Sequence, residues 1–447
     1  MIHYFQYIII RHVTARSGGI AFSFVSLFFC VSLAHAERGG VFSGPTRLTG
    51  ASIFWNPAAT MLQRGTFDFY IEGSANLTQF DYLRAGTNPQ TGRLYDEVHA
   101  SSWAPNLKFM TVGDTRWPQL KWLSGGFSPL FGGVNWPKDG PQRYFGTKQY
   151  IVSYTLSLGL LWKPSDKFGL AFIGGPAWGK VHQESAIDFG AFANRTAGAS
   201  IFPLEDPLLE GYSTLDANGW SRFYEAGVWT QPTPWLRVGA CFRFPQHITL
   251  HGKVKVKTSK ELQDALAVTV VPEGYLDIPY TFPWEFLAGV EFLTNKLHIS
   301  LLLWWTQDIM SRTLIATIHE ANPRFLEGEQ LSIRQNQNDW VVGSKVRYNF
   351  NDDWAMGLDF RLDPRNVPNE VLTATNLKLT TLHFGTGVHW KNWEFSYVHI
   401  YSPTLVNRES ILNPMAPTES GLALPSGNGR YNSFIRRFVV SYAGAFE

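Results

Sequence analysis

The chain has 447 residues, a formal net charge of +2, 17% charged side chains and 15% aromatics. So even a charge balance argues against nucleic-acid binding, which needs a concentrated basic face. Cys30 falls in the N-terminal leader and Cys241 stands alone after it, which excludes a disulfide framework, a four-cysteine zinc site or an iron–sulfur site within one mature chain.

Residues 1–36 read as a secretory signal. Arg11 and Arg16 give a positive start, residues 19–33 an apolar core, and Ala34-His35-Ala36 a small-x-small cleavage site. A retained membrane anchor is the other reading. The Ala-His-Ala ending favours cleavage, so the mature chain is expected to begin near Glu37.

Residues 37–65 precede the first strand. Within them, Asn56-Pro57-Ala58 reads as a helix start: Asn56 offers a capping oxygen, and Pro57 suits the first helical position, where its missing N–H costs nothing. A short capped segment between a signal and a long strand array predicts a plug.

From residue 66 onward the pattern has period two. Trp354, Met356, Leu358, Phe360 and Leu362 oppose Ala355, Gly357, Asp359 and Arg361. Leu236, Val238, Ala240, Phe242 and Phe244 oppose Arg237, Gly239, Cys241 and Arg243. Such alternation means strands with one greasy and one polar face. No run in the mature chain approaches the length of a transmembrane helix, but a barrel needs only alternating segments of roughly ten residues.

A soluble sandwich would alternate in the same way, and loop lengths separate the two. About 14 strands are predicted, near 66–84, 98–113, 119–130, 147–163, 167–186, 220–231, 234–256, 280–293, 296–317, 331–350, 353–365, 377–390, 393–403 and 431–446. Short connections such as Pro232-Thr233-Pro234, Asn351-Asp352-Asp353 and Lys391-Asn392 alternate with long ones near 187–219, 257–279, 318–330 and 404–430. Short turns at one rim, long loops at the other and an even strand count predict an all-β, 14-stranded antiparallel transmembrane barrel of the outer membrane, spanning 66–447 with the plug in its lumen. Trp235, Trp354 and Trp393 beside the short turns fit an interface girdle. The alternating C-terminus ending in Phe446 suits insertion by the outer-membrane assembly machinery.

The order of signal, Gly39-Gly40-Val41, Asn56-Pro57-Ala58 and barrel resembles the FadL-type long-chain fatty acid transporters, which include aromatic-hydrocarbon channels. The blocks Trp340-Val341-Val342-Gly343-Ser344-Lys345-Val346-Arg347-Tyr348 and Asp363-Pro364-Arg365-Asn366-Val367-Pro368 extend the resemblance toward the C-terminus. The plug departs from the family pattern: it is short, and has Phe42, Pro45 and Arg47 where small residues are usual. The resemblance implies a passive channel for a long-chain fatty acid or other hydrophobic small molecule. Capture would occur at extracellular loops, release would be sideways at a kinked third strand, and the hatch (Asn56, Pro57, Ala58) would block straight passage.

Several residues would carry this. Gly125, Gly126 and Pro129 weaken the third strand and mark a lateral opening or an ordinary bulge. Phe189, Phe192, Phe202, Leu204 and Leu208 lie in one long loop, and Leu262 and Leu266 follow a Thr258–Glu261 capping box in another. These apolar loops read as a capture surface or as a lid. Arg237, Arg243, Lys345, Arg347 and Arg361 fall on lumen faces, where they bind a ligand carboxylate or neutralise Glu225, Glu285, Glu291 and Asp359. His383 and His389 read as satisfied polar lumen positions, without a third ligand for a metal. No cofactor is implied, and no nucleophile elbow, phosphate loop, dinucleotide fingerprint or zinc-protease motif occurs. The expected protein is a monomer surrounded by outer-membrane lipid and lipopolysaccharide. A hydrocarbon channel and a non-transporting adhesin or structural barrel are the alternatives.

Overall fold

A computed structural model of the chain describes residues 39–60, 66–129, 131–191, 194, 200–260, 262, 273–307, 313–322, 328–333, 337–374, 378–410 and 427–446. The leader, Phe192 and Leu266 lie outside the described residues.

The strand segments in chain order are β1 (Phe67–Arg84), β2 (Val98–Asp114), β3 (Leu120–Phe127), β4 (Phe131–Asn135), β5 (Lys148–Ser165), β6 (Phe168–Asp188) and β7 (Glu210–Thr233). They continue as β8 (Leu236–Arg243), β9 (Gln246–Thr258), β10 (Glu273–Phe282), β11 (Glu285–Leu293), β12 (Leu297–Thr306) and β13 (Thr313–Asn322). The last are β14 (Gly328–Ile333), β15 (Asp339–Asn349), β16 (Trp354–Asp363), β17 (Thr381–Trp390), β18 (Trp393–Asn407) and β19 (Gly429–Phe446). Five staves are split into two segments: β3/β4, β8/β9, β10/β11, β12/β13 and β14/β15. The 19 segments therefore make 19 − 5 = 14 staves. Pro245 and Pro283, which have no N–H for a ladder, sit at two of the splits. The described pairings are antiparallel, and β19 pairs β1 from Phe67↔Phe446 to Arg84↔Gly429, which joins the last stave to the first and closes the barrel. No described helix is long and apolar enough to cross a membrane.

The faces follow the parity of the sequence. On β16, Trp354, Met356, Leu358 and Phe360 are exposed and face outward, while Ala355 and Asp359 are buried. Trp235, Trp354, Trp390 and Trp393 stand exposed at the short-turn rim.

Strands run further into the long-loop rim than the sequence suggested. Residues 210–219 and 273–279, expected as loop, extend β7 and β10, and the loop expected at 318–330 contains the ends of β13 and β14. In this extension the pattern inverts: Asp216 and Asn218 face out on β7 while Leu215 and Ala217 face a buried apolar cluster. A search for greasy outward faces passes over such a stretch.

Candidate functional site

Residues 39–60 are almost wholly buried inside the barrel. Their body is two 3-10 turns, Gly50–Phe54 and Pro57–Thr60. Asn56 Oδ1 accepts the Ala58 N–H at 3.0 Å, the capping role expected of it, although the turn is 3-10 rather than α-helical. Asn56 Nδ2 donates to the Pro45 carbonyl at 2.9 Å and to the Val228 carbonyl on β7 at 2.8 Å. One side chain thus caps the turn, folds the plug back on itself and ties it to the wall.

The wall is shaped to receive it. A Cβ on Gly227 would lie 2.1 Å from Asn56 Oδ1, and one on Gly239 would lie 2.1 Å from the Pro45 carbonyl oxygen. These inward positions need glycine for close approach rather than for backbone freedom. Gly357 and Gly387 give the same room to Phe42.

Charges then fix the plug. Arg47 Nε lies 2.9 Å from Glu291 Oε1, and Arg237 approaches the other oxygen of Glu291 at 3.5 Å. Lys345 donates to the Gly40 carbonyl at 3.2 Å and to that of Ser43, and faces Asp359 at 3.6 Å. Arg243 bonds Glu225 at 2.9 Å and Glu285 at 2.6 Å, and reaches the Phe54 carbonyl at 3.5 Å. Lys108 and Glu72 form a buried pair at 2.9 Å beside the Phe54 ring. Buried charges are tolerable only when paired in this way. Of the five expected lumen cations, Arg243 and Lys345 therefore hold the plug directly, and Arg237 shares Glu291 with the plug's Arg47. Arg347 donates to Asn349 at 2.7 Å and stacks on Phe42, with no ion pair to it among the described residues. Arg361 donates to Asp359 at 3.0 Å and borders a cavity on the long-loop side of the plug.

That cavity has apolar walls from Trp55, Phe80, Phe131 and Trp304. Its cations are Arg361, Lys378 and Arg437. Lys378 bridges Asp339 and Asp363, the latter at 3.1 Å, and Arg437 donates to Asn76 at 2.9 Å. Lys378 and Arg437 were not singled out from the sequence. Parity alone would have placed Arg437 inward, opposite Phe438 and Val440; nothing local marks Lys378. His383 lines the same cavity and pairs with the Thr381 hydroxyl at 3.0 Å, whereas His389 sits apart from it, 3.5 Å from Glu394.

The cavity also touches the wall at Ser102 and Ala104 on β2 and at Phe131, Gly132 and Gly133 on β4. β2 pairs β3 only from Phe109↔Gly126 to Asp114↔Lys121, and among the described residues no backbone pairing joins β2 to β4. The wall is therefore open in hydrogen bonds beside the cavity. Gly125 and Gly126 themselves sit in regular ladder, packed against Ile53 and Phe109, and the break follows them at Ser128-Pro129.

Toward the long-loop rim the lumen turns apolar. Phe189 and Leu262 are buried in a cluster with Val181, Leu215, Ile248 and Ile278, and Leu204 packs against it. Phe202 is half-buried, with its N–H and C=O both bonded to Asn194, while Leu208 is 68% exposed. The expected Thr258 cap is replaced by Ser259, whose hydroxyl accepts the Leu262 N–H at 3.0 Å, because Thr258 still belongs to β9. Buried ion pairs pin these loops. Arg84 meets Glu205 at 2.8 Å, and Arg143 bonds Glu210 at 3.0 Å. Asp188, at the loop end of β6, accepts from the Ala191 and Glu205 N–H groups. Burial lifts the Asp188 carboxyl to about 6, opposed by those hydrogen bonds and reinforced by Glu210 and Glu205.

Comparison with known proteins places this architecture. No curated protein matches the chain. The structure is similar to a Pseudomonas aeruginosa FadL homologue, at TM-score 0.74 and 14% identity over 95% of this chain and 100% of that one. It is also similar to the Pseudomonas putida toluene transporter TodX, at TM-score 0.65 and 12% identity over 95% and 100%. The Ralstonia pickettii toluene transporter TbuX gives TM-score 0.60 and 13% identity over 93% and 98%. At such identities the likeness is one of fold. The family described as outer membrane protein transport protein (OMPP1/FadL/TodX) matches residues 37–376. The chain belongs to this FadL/TodX family of outer-membrane β-barrels that transport hydrophobic substrates.

Proposed function

We propose that the protein takes up long-chain fatty acids or closely similar amphiphiles by passive diffusion. Residues 1–36 direct export, residues 37–65 act as a hatch held by Asn56, Pro57 and Ala58, and residues 66–447 form the conduit. The apolar long-loop end, with Phe189, Phe202, Leu204, Leu208 and Leu262, captures the chain of the ligand. The ligand moves to the cavity and leaves sideways between β2 and β4, at the break beyond Gly125, Gly126 and Pro129. The protein works as a monomer among lipid and lipopolysaccharide, after insertion by the assembly machinery.

The observation that carries the reading is the composition of the cavity. It sets Arg361, Lys378 and Arg437 beside aromatic walls, next to the open stretch of barrel wall. A carboxylate in so enclosed a site needs charge-assisted hydrogen bonds, and an uncharged hydrocarbon needs none.

The test is uptake of labelled oleate and of toluene by cells lacking their own transporter, with heat-modifiable folded barrel confirmed on gels. Arg437→Gln should lower oleate uptake about tenfold, the size of one lost charge-assisted bond, and leave toluene uptake unchanged. Equal loss for both ligands would make Arg437 structural. Toluene uptake without any oleate uptake in the wild type would move the substrate to aromatic hydrocarbons.

A further inference from the structure

Tyr154 of β5 stands at the break in the third stave. β3 pairs with β5 as far as Phe127↔Thr155, and β4 resumes at Phe131↔Val152. Between these two ladders the register of the third stave against β5 shifts by one residue, as at a β-bulge, with Ser153 and Tyr154 facing the break. On the other side, β2–β3 pairing stops at Phe109↔Gly126. The same register carried two residues further would set Leu107 opposite Ser128. Instead, the Tyr154 hydroxyl donates to the Leu107 carbonyl at 2.7 Å. A side chain of β5 thus reaches past the third stave to β2.

The bond lies on the outer side of the wall. Ser153 and Thr155 are buried inward, Tyr154 alternates with them, and Leu107 is 55% exposed on the lipid face. A carbonyl left bare there would face hydrocarbon, where unsatisfied backbone groups are costly. The Tyr154 hydroxyl supplies the donor that the interrupted ladder does not. It does so with one bond that rotates away with its side chain, where a backbone ladder would have to unzip.

We propose that Tyr154 is the bar across the side exit. It is a positioning residue: it holds the free stretch of β2 against the third stave while the channel is idle, and it releases Leu107 as a ligand passes between β2 and β4. The inference rests on the lateral-release reading above, and deepens it by naming the group that closes the exit.

Tyr154→Phe removes the hydroxyl and keeps the ring. In folded protein reconstituted in lipid bilayers, amides of residues 106–109 and 131–135 should exchange about fivefold faster than in wild type, as expected for one lost hydrogen bond. The β11–β12 ladder, far round the barrel, should not change. Oleate uptake should rise about two- to fivefold in the same variant, since the bond no longer has to break. Unchanged exchange at 106–109 overturns the bar. A separate variant is designed to join β2 to β4 through Ser102→Cys and Gly132→Cys, which share the inward face at the cavity. When oxidised it should stop oleate uptake, and reduction should restore it. If the oxidised form carries oleate at the reduced rate, the side exit itself is wrong, whatever Tyr154→Phe does. If oxidation blocks uptake and Tyr154→Phe changes neither exchange nor rate, the exit stands and the bar falls.

Discussion

The two ends of the lumen are built from opposite residue types. Around the plug the inward faces carry Glu72, Lys108, Arg243, Glu291, Lys345 and Asp359, all buried and all paired. Toward the long-loop rim the same inward faces carry Val181, Leu215, Ile248, Leu250, Val254 and Ile278. The difference follows from direction. Paired charges and hydrogen bonds fix one geometry, which suits a segment that must stay docked. Apolar contact is non-directional, which suits the proposed role of that surface in passing hydrophobic molecules of varied shape.

The largest effect should come from breaking the charged end. Glu291→Ala leaves buried Arg47 and half-buried Arg237 without their carboxylate, and should cost about 3–5 kcal/mol. The midpoint of heat-modifiable gel migration reads this directly. An unchanged midpoint would mean that the plug does not depend on its ion pairs.

A smaller effect is expected at Asn56. Asn56→Ala deletes two donated bonds and one accepted bond, at about 1 kcal/mol each, and leaves the barrel ladders intact. Ion conductance in planar bilayers should rise as the plug loosens, and oleate uptake should fall while folded barrel persists on gels. Unchanged conductance and uptake would reduce Asn56 to an ordinary turn cap.

The smallest effect belongs to the apolar end. The folded-state value of Asp188 is raised to about 6 from an ordinary 3.8. A raised carboxyl favours the folded loop when protonated. That contribution is complete below the ordinary value and is lost as pH rises through about 6. The Ala191 and Glu205 amides should therefore be better protected near pH 5 than near pH 7.5 after correction for intrinsic exchange rates. Asp188→Asn should flatten the difference. Equal protection at both pH values would show that the loops close independently of this carboxyl.

Much of the barrel was legible in the sequence because its physics is local. Side chains alternate with period two, lipid demands apolar residues on one face, and tight turns demand Pro, Asn and Asp. Each can be read along a few residues, so the fourteen staves and the short-turn rim were placed from sequence. Where the lipid ends, the constraint changes sign, and residues 210–219 were lost to loop for that reason. The Asn56 cap was legible too, being a contact two residues long.

Closure settled the rest. Nothing near Gly227 or Gly239 says that a plug carbonyl or amide will lie against it, since those contacts span almost two hundred residues. Arg47 seeks a buried partner by its chemistry, but only the curled sheet brings Glu291 to it. Lys378 joins Arg361 and Arg437 at one cavity because the β16–β17 connection folds back there beside β19. Tyr154 is one more outward aromatic in the sequence; it matters only because the third stave breaks beside it and leaves the Leu107 carbonyl within reach. Local alternation determined which face each residue shows, and the closed barrel decided which residues on that face meet.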